Sequence, residues 1–292
     1  MSALVIGSGG FLGRALVSEL RQRGIAVAEC SSARPGGIDP HSGLLPRDFT
    51  VPRGTRSVYY LAQSPALKDK PPRYEHLLAV SVVSALHAAR AAREAGARQF
   101  FYASTGNVYA PSFAPLRESD AVRRDNWYSL AKVQAEESLQ LLAPGLEVTS
   151  LRLFGLYGPG QSGRLVPNLA EAVRAGRAVV IEPNPHDAQD NGGLRLSLCH
   201  VRDAASILAS LAGIEAPRYL NVASSEARSV RTIACAIGEA LGSAVAFETS
   251  PRPRAFDLIA DTALLQGLLE PRFERFEDGV KELLGAAPET AG

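Results

Sequence analysis

Hydrophobic residues fall in short runs, separated by glycines and by stretches with helical spacing. Leu4–Ile6 is wholly apolar, passes into a glycine cluster over Gly7–Gly13, and resumes as a helical pattern through Arg23. Gly24 is placed to end that helix with a positive φ. Ile25–Cys30 and Ser57–Ala62 read as further strands. Residues 74–95 carry a helical stripe of Leu78, Val82, Ala85, Ala89 and Ala92, closed by Gly96. Gln99–Ala103 predicts a strand, 127–142 a helix, and Glu147–Phe154 another strand. Strands alternating with helices predict βαβ units, hence an α/β fold with a doubly wound parallel sheet of the Rossmann type.

After Tyr157–Gly163 the texture changes. A helix is predicted near 165–175, followed by a polar stretch, Glu182–Gly193, with the composition of a loop over a cleft. Leu196–Val201 and Tyr219–Val222 read as strands that return to the first sheet, and Ser250 onward mixes loop with short helices. The expected division is a larger domain over 1–158 and a smaller carboxy-terminal domain over 159–292. There are no internal repeats.

Composition narrows the class. A net charge of +1, from 31 basic against 30 acidic residues, gives no global field for nucleic acid or an anionic membrane. Cys30, Cys199 and Cys235 are odd in number and far apart, without metal-ligand spacing, so they read as reduced thiols and no metal is expected. No run approaches the roughly 20 apolar residues of a membrane helix, and no secretory signal opens the chain. A cytoplasmic globular protein is expected.

Gly7, Gly10 and Gly13 fit G-x-x-G-x-x-G between a strand and a helix. The first allows a tight turn, the second lets backbone approach a pyrophosphate, and the third lets helix pack on strand. Phosphate then rests on free N–H groups at the helix amino end. Dinucleotide binding follows, against the alternative of an ordinary strand-to-helix turn. At the end of the second strand, Ser31, Ser32 and Arg34 stand where an acidic residue would hold the ribose of NAD. Hydroxyls and a guanidinium suit a 2′-phosphate, so NADP is expected in preference to NAD. Glu29 would bind ribose instead if the register differs, and Asp48, after a presumed third strand, is a candidate for the adenine amino group.

"WYSLAK" (Trp127–Lys132) places Tyr128 and Lys132 one helical turn apart on one face. An ammonium nearby and a positive nicotinamide would lower the phenol's pKa and make it a usable acid/base. Lys132 is also long enough to hold the nicotinamide ribose. Upstream, "YASTGNVYA" offers Thr105 to polarise the reacting oxygen.

Together these motifs make the chain resemble the extended short-chain dehydrogenase/reductase family, the NAD(P)-dependent epimerase/dehydratase group. The matching stretches are "GSGGFLG", "YYLAQ", "YASTGNVYA", "YSLAKVQAE", "LRLFGLYGPGQ", "CHVRDAA" and "YLNVASSE". The resemblance implies an enzyme with Thr105, Tyr128 and Lys132 as catalytic hydroxyl, acid/base and lysine. It also implies cofactor contacts along Gly7, Gly10, Phe11, Leu12 and Gly13 and along Leu61, Ala62 and Gln63, with Ser31, Arg34 and Asp48 as read above. A smaller carboxy-terminal substrate domain is implied too, with a homodimer through the helices near 74–95 and 128–142. Glu136 is expected to pair with Lys132 or solvent.

Several positions depart from the family pattern. Gly106 and Asn107 stand where dehydratases and decarboxylases carry an acid, which leaves simple hydride transfer or epimerisation. Gly155 replaces an asparagine, and Ser81 another. The strand arginine that grips a diphosphate falls at Leu196, while Arg195 lies one residue off and faces the opposite side unless a bulge intervenes. Arg164, Arg252 and Arg254 are substitutes for phosphate contacts, with Asn107 also toward the substrate. The expected function is oxidoreduction of a secondary alcohol or ketone, as a nucleotide-sugar epimerase or ketoreductase. The alternatives are an NADPH-dependent reductase of another small carbonyl metabolite and a non-catalytic NADP(H)-sensing regulator.

Overall fold

A computed structural model describes residues 2–66, 69, 73–142 and 144–285. β1 (Ser2–Ile6), β2 (Ala26–Cys30), β3 (Ser57–Tyr60), β4 (Gln99–Thr105), β5 (Glu147–Leu153) and β9 (Tyr219–Val222) form one sheet in the order β2-β1-β3-β4-β5-β9. Every pairing in it is parallel. Because both faces are covered, β3 and β4 are buried at every position, with apolar or aromatic centres (Val58–Tyr60 and Phe100–Ala103) and buried polar residues only at their ends.

Alternate residues feed opposite layers. Leu4, Ile6, Val58, Tyr60, Phe100 and Tyr102 pack with α3 (Ser84–Glu94) and α4 (Trp127–Gln140). Val5, Tyr59 and Phe101 instead face α1 (Phe11–Gln22) and α6 (Val201–Ser210). Gly24 follows α1 with φ +71°, as the pattern predicts. The predicted helix over 74–95 is interrupted: α2 (Tyr74–Leu78) passes through a π turn, Ala79–Val83, into α3. Widening the turn frees carbonyls for side chains, and the Tyr60 and Tyr102 hydroxyls donate to Val80 O (2.6 Å) and Ser81 O (3.0 Å).

One predicted strand goes elsewhere. β9 joins the main sheet, but β8 (Arg195–His200) does not return to it; it lies between β6 (Gly155–Tyr157) and β10 (Ala227–Ser229) in a separate three-stranded sheet. An apolar run shows that a strand is buried but not which neighbour it meets, and β8 finds β6 immediately after β5. Around it α5 (Leu165–Arg174), α7 (Val230–Leu241) and α9 (Phe276–Gly285) form a further core with β7 (Val179–Ile181), which pairs with β11 (Phe247–Thr249). α8 (Ala263–Leu269) buries Leu265 in the layer that holds α1 and α6. No helix among the described residues is long and apolar enough to cross a membrane.

Candidate active site

β1 has β2 on one side and β3 on the other, so the strand order reverses there and a crevice opens beyond the strand carboxyl ends. The register sets Ile6 beside both Cys30 and Tyr60, which brings Gly7, Ser31 and Leu61 together at the lip. The cleft there holds about 750 Å³. It is lined at one end by Gly7, Gly10, Phe11, Leu12, Gly13 and Ser31, then by Leu61, Ala62 and Gln63.

The glycines are required by space. Gly7 has φ +88°, and a Cβ on it would lie 2.7 Å from the amide nitrogen of Ala62. A Cβ on Gly13 would lie 2.1 Å from the carbonyl oxygen of Gly7. The turn and the first turn of α1 are therefore bare backbone packed on backbone, a cradle that fits a pyrophosphate on the helix amino end.

The second strand's end departs from expectation. Ser31 and Ser32 line the cleft, but Arg34 lies outside its wall, in an exposed turn that folds back onto the Ser31 carbonyl. Glu29 does not line the cleft either, and Arg21 pairs with its carboxylate at 2.6 Å. Asp48 is also misplaced: no strand precedes it, it is exposed, and Ile38, Asp39 and Pro40 form that wall instead. Asp39 accepts from the Ser42 amide (2.6 Å), the Ser42 hydroxyl (2.8 Å) and the His41 amide (3.1 Å). These donors hold its carboxyl below the usual range. Asp39 was not legible as a site residue because it sits in a loop without periodicity.

Thr105 ends β4, and Tyr128 and Lys132 lie on α4; all three line the cleft. Asn126 caps α4, accepting from the Ser129 amide at 2.9 Å. The Ser129 hydroxyl donates to Asn107 O at 2.8 Å, which ties the helix start to the loop after β4. The Asn107 amide and side-chain nitrogen both donate to Thr105 Oγ1, each at 3.2 Å. Gln63 Nε2 donates to the Tyr128 hydroxyl at 3.4 Å.

The electrostatics revise one expectation. Burial pushes the Tyr128 phenol above its ordinary value, opposed by the Thr105 hydroxyl and by Arg164. Lys132 is not what opposes it. Its ammonium donates to Ala103 O at 2.7 Å and lies 4.7 Å from the Tyr102 ring centre. Burial brings Lys132 itself down to about 8, against a weaker upward pull from Glu136. Glu136 pairs neither with Lys132 nor with solvent: Arg152 holds both its oxygens, at 3.1 and 2.8 Å, in the interior.

Beyond Thr105 and Tyr128 the wall includes Asn107, Gln161 and Ser162 with Phe154, Gly155, Leu196, Leu198 and Leu258, and Arg164 stands before α5. A Cβ at Gly106 would meet the Phe154 ring at 2.9 Å, and one at Gly155 would meet Leu198 at 2.7 Å. Three substitute arginines do not reach this wall. The Arg195 side chain is exposed on the other face of β8 from Leu196 and Leu198, and no bulge restores it. Arg252 is exposed in a loop. Arg254 is buried but taken: it pairs with Asp190 and, at 2.8 Å, with Asp257. The Glu182–Gly193 loop carries Asp190 and does not line the cleft.

A glycine turn at the switch point of a parallel sheet, facing Tyr and Lys across a deep cleft, defines a nicotinamide-dependent enzyme of the short-chain dehydrogenase/reductase type. The chain belongs to the NAD dependent epimerase/dehydratase family, whose model matches residues 3–223. It is 27% identical over 331 residues to a UDP-glucose 4-epimerase of Erwinia amylovora, covering 97% of this chain and 96% of that one. It is 28% identical over 214 residues to a 4-hydroxy-2-methyl-3-oxo-4-farnesyl-3,4-dihydroquinoline-1-oxide ketoreductase of Stigmatella aurantiaca, covering 69% and 61%. The solved structure of MoeE5 in complex with UDP-glucose and NAD superposes with a TM-score of 0.77 at 25% identity, over 97% of each chain.

Proposed function

We propose that this enzyme interconverts a secondary alcohol and a ketone, as a nucleotide-sugar epimerase or a ketoreductase, with Tyr128 as the proton donor and acceptor. The observation that carries the reading is the convergence of Thr105, Tyr128 and Lys132 on one cleft with the glycine cradle. When bound, the nicotinamide supplies or accepts the hydride. The glycine turn and the Leu61–Gln63 edge hold the dinucleotide. Tyr128 gives its hydroxyl proton to the substrate oxygen in reduction and takes it back in oxidation, while Thr105 orients that oxygen. In this reading Lys132, which donates to Ala103 O, holds the nicotinamide ribose.

NADP(H) is the preferred cofactor in this reading. Support comes from the two serine hydroxyls at the end of β2, from Arg14 in the cleft wall, and from the engagement of Glu29 by Arg21. A homodimer is part of the same proposal, supported by the exposed apolar Val83 in the π turn and Leu141 after α4.

The test supplies cofactor deuterated at the nicotinamide C4, as NADH and as NADPH, with a panel of ketones. Deuterium should appear at the carbinol carbon of the product, faster from the NADPH form. Transfer to no ketone, together with no epimerisation of UDP-glucose, by a protein that binds the cofactor would remove the reading.

A further inference from the structure

We infer that the substrate is an uncharged, largely apolar ketone or its alcohol, and not a nucleoside diphosphate derivative. This rests on the hydride-transfer reading above and specifies what that site accepts.

The charges lining the cleft locate the argument. Among the described residues they are Arg14 and Asp39 toward the glycine end, Lys132 on the floor, and Arg164 alone beyond Tyr128. Lys132 is directed at Ala103 O. A pyrophosphate carries about two negative charges, and their removal from water has to be offset by paired cations or by several N–H donors. The substrate end offers Phe154, Leu196, Leu198 and Leu258 beside the uncharged polar groups of Asn107, Gln161 and Ser162, with Arg164 the one cation there among the described residues.

That apolar character is built into β8. Leu196 and Leu198, two residues apart, share the face turned to the cleft, while Arg195 is exposed on the other. The parallel bridge of Leu196 to Leu258 brings the third leucine alongside. A Cβ at Gly155 would lie 2.7 Å from a Leu198 methyl, so Leu198 fills the space beside this glycine. Arg254 is neutralised by two carboxylates, so it supplies no spare charge. Apolar walls around one carbonyl-binding Tyr/Thr pair select a ligand that buries hydrocarbon and presents a single oxygen.

The experiment is calorimetric titration of the protein saturated with oxidised NADP, using UDP, UDP-glucose and the bicyclic ketone trans-decalone as separate probes. Decalone should bind with a negative heat-capacity change, the mark of apolar burial. UDP and UDP-glucose should give no saturable heat up to about 1 mM. Leu258→Gln, at a half-buried position, should weaken decalone about tenfold. Leu198→Asn, checked for folding by thermal melting, should do the same. Saturable binding of UDP or UDP-glucose overturns the proposal, as does failure of decalone to bind. A protein that binds decalone but never reduces it would leave this substrate class standing and remove the hydride reading, so the two fail separately.

Discussion

At Tyr128, burial and charge pull in opposite directions, and burial prevails. The group is therefore a phenol throughout the neutral range and is suited to donating a proton. For carbonyl reduction, kcat/KM should stay flat between about pH 6 and 9. Alcohol oxidation needs the phenolate and should rise about tenfold per pH unit there. An oxidation plateau below about pH 8 would contradict this. Lys132 gives a second, independent readout. Its folded value of about 8 lies below the ordinary 10.5. Between those values the unfolded chain binds more protons, so the ammonium penalises folding below about pH 8 and the penalty fades as pH rises. In urea titrations the stability of the wild type minus that of Lys132→Met should grow from about pH 8 to 10. A flat difference would show that the ammonium is better solvated than its contacts imply.

At the scale of elements, the glycine turn and the end of α4 make separate predictions. Gly13→Ala sets a methyl carbon 2.1 Å from the Gly7 carbonyl, so strand and helix must part. Overpacking of this kind costs about 1–3 kcal/mol, and fluorescence titration should show cofactor affinity falling with it. Unchanged affinity would mean the turn does not hold phosphate. Glu136→Gln removes one partner of a buried ion pair and should destabilise by about 3–5 kcal/mol in chemical denaturation. A loss below about 1 kcal/mol would mean the pair is solvated. These elements differ in how legible they were. Gly7, Gly10 and Gly13 announce themselves because the missing side chain that lets backbone pack on backbone is written in residue type. Tyr128 and Lys132 share a face by helical spacing alone. The π turn at Ala79–Val83 carries no such mark, since its reason lies in the Tyr60 and Tyr102 hydroxyls on distant strands. Arg34 and Asp48 lie off the cleft wall for the same kind of reason: both belong to the aperiodic 31–56 stretch, whose path depends on tertiary contacts such as the Leu45 amide to Ser84.

For the whole molecule, the parallel sheet follows from alternating strands and helices, whereas the place of β8 between β6 and β10 does not. That placement matters for chemistry, because it turns Leu196 and Leu198 toward the cleft and leaves Arg195 outside. Assembly can be tested at this scale. Sedimentation equilibrium should give a dimer, and Val83→Asp combined with Leu141→Asp should reduce it to the 31.0 kDa chain. A monomeric wild type would end the dimer proposal. The central claim, that the α4 phenol moves the proton in a cleft built to hold a dinucleotide, is tested most directly by steady-state turnover of Tyr128→Phe beside the wild type, with melting and cofactor affinity measured on both. The account predicts a fall in kcat of about 10²–10⁴-fold with both controls unchanged; turnover equal to the wild type would contradict it.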